Sequence, residues 1–128
     1  QRNSESNQLR VDWKMMDALN LPWEVEKYDV IVSNPPYVLD TEKELMRKNV
    51  LEFEPHVALF VEDDDPLLFY EAISEWAINS LKKGGFLFFE INEKYEDKMK
   101  SLLKEVGFSK VESKMDIFDK PRMIKARK

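Results

Sequence analysis

The chain has 128 residues, the size of one ordinary domain, and 43% of them are hydrophobic, which is enough for a core. Its net charge of −5 gives no sign of a basic face for phosphate backbones, and no apolar run approaches the roughly 18 residues of a membrane helix. The absence of cysteine excludes disulfides and thiolate chemistry and fits a cytoplasmic location.

The first third of the chain contains two predicted strands with a loop between them. Leu9–Trp13 alternates apolar and polar residues, which predicts a half-buried strand. Asp17–Pro22 is rich in turn-forming residues and indicates a loop. Tyr28–Ser33 is β-branched and almost continuously apolar, which predicts a strand buried on both faces, as in a parallel sheet.

A long loop follows the second strand and extends to about Asp65, with a short helix predicted near Thr41–Lys48. Ordered loops of this length in compact domains are usually functional. The acidic run Glu62–Asp65 fits either a cation site or a solvated loop, and the solvated loop is favoured.

Two helices are predicted in the second half. Asp65 and Pro66 predict the start of the first, as N-cap and first helical residue, and Gly84–Gly85 predicts its end. Asn92 predicts the cap of the second helix and Gly107 its end.

Three more strands are predicted around and after these helices: Phe86–Ile91, Phe108–Met115 and Met123–Ala126. Alternating strands and helices indicate an α/β fold with a mainly parallel sheet. The last two strands have no helix between them, so we expect an antiparallel C-terminal strand pair.

The tetrapeptide Asn34-Pro35-Pro36-Tyr37 lies at the carboxyl end of the second strand, where open α/β sheets bind ligands. The Asn34 side chain supplies one acceptor and two donors, and the prolines stiffen the turn and leave its carbonyl groups as acceptors. Tyr37 adds a flat ring that packs over planar groups. Together they predict a rigid slot for a planar amide or amino nitrogen. A plain proline-rich turn is the alternative, and a chance match in a chain this long is on the order of one in a few thousand.

These residues resemble the substrate motif of amino-methyltransferases that use S-adenosylmethionine, which act on DNA, RNA or protein. Further segments narrow the resemblance to the release-factor glutamine N5-methyltransferase family (HemK/PrmC), over nearly the whole chain. They are Phe53-Glu54-Pro55, Ala58-Leu59, Asp65-Pro66-Leu67 with Phe69-Tyr70, Lys83-Gly84-Gly85 before a strand ending in Glu90-Ile91, and Gly107-Phe108. The resemblance implies a class I S-adenosylmethionine-dependent methyltransferase (Rossmann-like) fold. It also implies methyl transfer to a glutamine side-chain amide in a peptide-chain release factor.

The resemblance implies a role for each residue of the slot. Asn34 is the implied catalytic residue and would contact both the methyl donor and the substrate. Pro35, Pro36 and Tyr37 would hold the glutamine amide. No metal is implied.

For the donor, the resemblance implies that Asp17 accepts the adenine amino hydrogen and that the Ala18 backbone N–H donates to the adenine ring. From the residues alone, a turn or helix cap at Asp17 carries equal weight.

The sequence departs from the family pattern at its start, where a strand and a glycine-rich loop normally cradle the donor. The only glycines are at positions 84, 85 and 107, and none lies in such a loop. We therefore expect residues 1–128 to be the C-terminal part of a catalytic domain without its N-terminal donor-binding strands, inactive alone. The edge of Tyr28–Ser33 would then be open to self-association.

Other readings stay open at this point. The chain is alternatively a nucleic-acid amino-methyltransferase, or a non-catalytic interaction module on the same scaffold. His56 is either a base or an ordinary loop residue, with the loop residue favoured, and Glu54 either orients the long loop or lies exposed.

Overall fold

The structure is a computed structural model that describes residues 2–45, 52–53 and 55–128. Its helices and strands are α1 (Arg2–Ser6), β1 (Tyr28–Ser33), β2 (Val38–Leu39), β3 (Phe60–Val61), α2 (Leu68–Ser80), β4 (Leu81–Glu90), α3 (Glu96–Val106), β5 (Ser109–Met115) and β6 (Pro121–Arg127). Short 3₁₀ helices cover Asp40–Leu45, His56–Ala58 and Glu93–Tyr95. No helix within the described ranges has the length and apolar character needed to cross a membrane.

Among the described residues, four strands form the main sheet in the order β1-β4-β6-β5. β1 and β4 are parallel, and β6 is antiparallel to both of its neighbours. β5 therefore runs in the same direction as β1 and β4, so three of the four strands share one direction. The predicted α/β class, the mainly parallel sheet and the antiparallel C-terminal pair are confirmed. β2 and β3 form a small parallel sheet of their own.

Helices α2 and α3 cover one face of the main sheet. Along β4, Leu87 and Phe89 are buried against the helices, whereas Phe86 and Phe88 point to the other face and are only partly buried. Burial of each such leucine or phenylalanine contributes about 1.5–3 kcal/mol. The helical side of the core is formed by Ile73, Ala77, Met99 and Leu103.

The expectation that Tyr28–Ser33 is buried on both faces is wrong for this structure. Val30 and Val32 are 50% and 74% exposed. Since α2 and α3 pack on the same side of the sheet, nothing among the described residues covers the other face of β1. β1 also forms an outer edge there, because β4 is its one strand partner within the described ranges.

The predicted strand at Leu9–Trp13 is absent. These residues have no regular structure, and Leu9 and Trp13 are 66% and 64% exposed. A strand exists only where a neighbour accepts and donates its backbone hydrogen bonds. No described strand pairs with this segment, so the segment does not form a strand despite its alternating pattern.

Both ends of the first predicted helix are also corrected. Asp65 is not its N-cap, because α2 begins at Leu68 after two successive tight turns, and Asp65 only accepts the Leu68 N–H through its carbonyl oxygen. Gly84–Gly85 does not end it either. Leu81 already has extended backbone after Ser80, and Gly84, at φ +82°, lies at an irregularity inside β4.

The predicted ends of the second helix agree better with the structure. The Asn92 side chain caps the 3₁₀ helix Glu93–Tyr95, which leads directly into α3. Gly107 ends α3 at φ +112°, as predicted. The short helix expected at Thr41–Lys48 is a 3₁₀ helix over Asp40–Leu45, and residues 46–48, like Glu54, lie outside the described residues.

Candidate functional site

The tetrapeptide Asn34–Tyr37 follows β1 at the carboxyl edge of the main sheet. Ser33 pairs with Phe89, so Asn34 emerges beside the end of the neighbouring strand β4. The Asn34 side chain is exposed, whereas Pro35 is buried directly behind it. A buried, conformationally fixed proline therefore anchors an asparagine amide that faces outward.

Asn34 lies in a groove of about 700 Å³ on the open face of the sheet. Its floor is formed by Val32 and Phe88, and Glu90 closes the end of the groove beside Asn34. Ser33 and Phe89 also line it, and β5 and β6 contribute Glu112, Lys114, Met123, Ile124 and Lys125. The groove is thus an apolar channel whose polar groups include those at the Asn34 end, as binding sites for small or extended ligands commonly are.

Tyr37 is held by contacts from the end of β4. Its hydroxyl donates to Glu90 Oε1 at 2.6 Å, and its carbonyl oxygen accepts from Asn92 Nδ2 at 3.3 Å. Burial, together with the hydrogen bond to Glu90, raises the pKa of Tyr37 to about 12. The phenol therefore stays protonated, and stays a donor, at neutral pH.

A second set of contacts attaches the segment after Tyr37 to the same strand end. Glu42 accepts hydrogen bonds from the Leu39 backbone N–H, from Asn92 and from Lys94. Burial opposes ionisation of Glu42, but these hydrogen bonds, that from Lys94 foremost, outweigh it and lower its pKa. The turn and the 3₁₀ helix that follows it are fixed as one unit.

Asp17 and Ala18 lie in the loop that leads to β1. The Asp17 Oδ1 atom accepts the Leu19 backbone N–H at 2.9 Å, and its carbonyl oxygen accepts the Asn20 N–H at 3.1 Å. The turn function left open for Asp17 is therefore present. Ala18 is half-buried and shares a groove of about 360 Å³ with Ser33, the residue before Asn34.

The structure thus brings Ala18 and Asn34 to neighbouring grooves on either side of the end of β1. Ser33 lines both grooves. Asp17 is next to the 360 Å³ groove in sequence but does not line it, whereas its neighbours Met16 and Ala18 do.

His56, singled out in the sequence, and Trp76 of α2 have plain structural positions. His56 is exposed in a 3₁₀ helix, with its ring edge-on to Phe60 at 5.5 Å between centroids. Trp76 packs at the margin of the core, and its Nε1 donates to the Pro22 carbonyl oxygen at 2.7 Å, which fastens the N-terminal segment to α2.

Sequence reasoning missed Glu90 and Asn92 as contacts of the slot. The available signal was topological: if β1 and β4 are adjacent and parallel, polar residues at the end of β4 meet the turn after β1.

No protein-family model matches the chain. Curated relatives do: it is 43% identical over 98% of its length to a release factor glutamine methyltransferase of Flavobacterium psychrophilum, and 41% identical over 99% to that of Bacteroides thetaiotaomicron. The chain spans 44% and 46% of the lengths of these two relatives, which is slightly less than half. The resemblance stated from the sequence is confirmed.

Among solved structures, a possible exported protein from Bordetella parapertussis superposes with a TM-score of 0.54 at 17% identity, covering 88% of this chain and 42% of that protein. At this identity the likeness concerns the fold alone, and it agrees with the α/β arrangement described above.

Proposed function

We propose, from the similarity of the chain along nearly its whole length to release factor glutamine methyltransferases, that it is the acceptor-binding part of such an enzyme. The reaction is transfer of a methyl group from S-adenosylmethionine to the side-chain amide nitrogen of a glutamine in a peptide-chain release factor. The observation that carries the proposal is the slot itself: an outward-facing Asn34 on a buried proline, beside a tyrosine held at both ends.

In the proposed mechanism the slot orients the acceptor nitrogen. The side-chain carbonyl oxygen of Asn34 and the backbone carbonyl oxygen of Pro35 each accept one N–H of the glutamine amide. This arrangement turns the nitrogen lone pair toward the methyl group. The same oxygens offset the positive charge that develops on nitrogen during transfer. The Tyr37 ring packs against the planar amide and keeps water away from it. As the new N–C bond forms, the bond between the methyl carbon and the donor sulfur would break, and the cationic nitrogen would then release one N–H proton to solvent. A protonated amide is strongly acidic, so no strong base is needed for this step.

The residues beside β1 fit the adenine end of the donor. The groove shared by Ala18 and Ser33 is lined largely by apolar side chains, as suits a flat adenine ring. Asp17 Oδ1 is engaged by Leu19, so the contact to the adenine amino group would use Oδ2. Asn34 would contact the donor from the other side. When bound, the donor supplies an electrophilic methyl group on a sulfonium.

We take residues 1–128 as the C-terminal part of a catalytic domain whose glycine-rich donor loop belongs to the remainder of a longer enzyme. The chain alone is then inactive. A release-factor substrate places the enzyme in the cytoplasm and requires no direct contact with nucleic acid or membrane.

Mass spectrometry of the acceptor tests this proposal. A release factor incubated with the full-length enzyme and S-adenosylmethionine should gain one methyl group on a single glutamine. The Gln→Asn release factor should gain none, because its amide sits one methylene too short to reach the slot. Methylation of DNA or RNA in place of the protein would refute the proposed acceptor.

A further inference from the structure

The end of β4 holds the slot through contacts that the proposed chemistry does not use. Glu90 accepts the Tyr37 hydroxyl, and Asn92 donates to the Tyr37 carbonyl oxygen. These partners lie 53 and 55 residues from Tyr37 in the chain, so the position of the ring is set by tertiary contacts. Tyr37 is held at the tip of its side chain and at its backbone, which leaves its ring little freedom.

Glu90 is itself fixed from behind. The Tyr70 hydroxyl donates to the Glu90 carbonyl oxygen at 2.9 Å. Tyr70 is 1% exposed and meets the Phe89 ring edge-on at 5.2 Å between centroids. Burial raises the pKa of Tyr70, so its hydroxyl is also a permanent donor. The Glu90 backbone is therefore tied to the core on the helical side of the sheet.

The hydrogen bond between Tyr37 and Glu90 has a defined direction. A carboxylate only accepts, and the protonated phenol donates, so the pair cannot exchange roles. A charge-assisted bond of this kind is about twice as strong as one between neutral groups. Glu90 also borders the groove that contains Asn34, which places the carboxylate next to the slot.

We propose that Glu90 is a positioning residue: it fixes the Tyr37 ring at the angle that holds the acceptor amide against Asn34. This inference rests on the proposed function, which supplies the amide. Small errors in the position of a reacting group cost about a hundredfold in rate, so loss of this one contact has a large kinetic effect.

Kinetics of the full-length enzyme on its release factor test the role. Glu90→Ala should lower kcat about 10- to 100-fold and leave KM for S-adenosylmethionine little changed. Tyr37→Phe should lower kcat to a similar extent, and the double variant should lose no more than either single one, because both remove the same contact. Glu93→Gln is the matched control. Glu93 is a carboxylate at the same strand end that pairs with Lys120 and Arg122. The kcat of Glu93→Gln should equal that of the wild type.

A titration separates positioning from general support of the fold. In carbon-13 NMR of the enzyme labelled at the tyrosine Cζ, with the Tyr37 signal assigned by its loss in Tyr37→Phe, the Tyr37 pKa should be about 12. In Glu90→Gln, which keeps the side-chain shape, the Tyr37 pKa should fall but stay above the ordinary value of about 10, because the carboxylate is lost while burial, the larger cause, remains.

Any of three results would overturn the role of Glu90. They are a kcat of Glu90→Ala equal to that of the wild type, a loss of kcat in the double variant equal to the product of the two single losses, or a Tyr37 pKa in Glu90→Gln equal to that of the wild type. A wild-type enzyme that methylates no release-factor glutamine would instead overturn the proposed function, so the two failures are distinguishable.

Discussion

Ser74 and Ser80 are both fully buried on α2, yet their hydroxyl groups differ in hydrogen bonding. Ser80 Oγ donates to the Glu24 carbonyl oxygen at 3.1 Å. Ser74 Oγ has no hydrogen-bond partner within the described part of the chain. A buried polar group without a partner costs about 1–3 kcal/mol, because it gives up its hydrogen bonds to water and gains none.

Ser74→Ala should therefore raise the free energy of unfolding by about 1 kcal/mol, since it removes an uncompensated hydroxyl and keeps the helix. Ser80→Ala is the matched control and should lower it by about 1 kcal/mol, because the Glu24 carbonyl group loses its partner. Urea denaturation measures both. A loss of stability in Ser74→Ala would contradict this account of the site.

The residues of the slot differ in how far the sequence predicted them. The outward position of Asn34 depends on its neighbours, a strand before it and two prolines after it, and that information is local. The contact between Tyr37 and Glu90 joins residues 53 positions apart, and nothing in either segment identifies the other. The assigned roles of Asn34, Pro35, Pro36, Tyr37, Asp17 and Ala18 stay predictions.

At the scale of the elements, two glycines are needed for different reasons. Gly107 ends α3 at φ +112°, and a Cβ atom built there would meet nothing within 4 Å. A Cβ atom on Gly85 would lie 2.9 Å from the backbone oxygens of Asp29 and Lys82. Gly107 thus supplies a backbone angle, whereas Gly85 supplies the space in which β1 and β4 approach each other.

Gly107→Ala should lower the free energy of unfolding by about 1–2 kcal/mol, the cost of a positive φ for a residue with a side chain. Gly85→Ala should cost more, because backbone atoms of β1 and β4 must move apart. Ser101→Ala, at an exposed position of α3, is the control and should change stability by less than about 0.5 kcal/mol. Equal losses in the two glycine variants, again by urea denaturation, would refute the distinction.

The same contrast explains which elements the sequence predicted. The end of α3 follows from a local signal, the glycine at position 107, and was found, whereas the predicted asparagine cap belongs to the 3₁₀ helix that precedes α3. The strand expected at Leu9–Trp13 failed because strand formation needs a partner, and an alternating pattern carries no information on whether that partner is present. The helix start at Asp65 failed because two tight turns intervene before Leu68.

At the scale of the whole molecule, the sheet is covered on one face and open on the other. Across the open face, Val32, Phe88 and Lys125 lie in register on neighbouring strands. Lys125 and Arg127 place their cations 4.6 and 5.8 Å from the centre of the Phe86 ring, which covers part of the apolar surface. Self-association of the chain through the edge of β1 stays a prediction.

The two grooves that flank the end of β1 meet at the place where, in the proposed mechanism, the slot would present an acceptor nitrogen to the donor. Ala18 and Ser33 line one groove, and Ser33 and Asn34 line the other. A side chain placed at this junction, exposed and not part of the core, should affect turnover much more than folding.

The turnover of Asn34→Ala in the full-length enzyme tests this claim most directly, measured by methyl incorporation into the release factor alongside urea denaturation of the same variant. We expect turnover to be abolished, by a factor of at least about 100, with an unchanged free energy of unfolding, because Asn34 is exposed and its loss removes an oxygen that holds the acceptor amide. Turnover equal to that of the wild type would contradict the account.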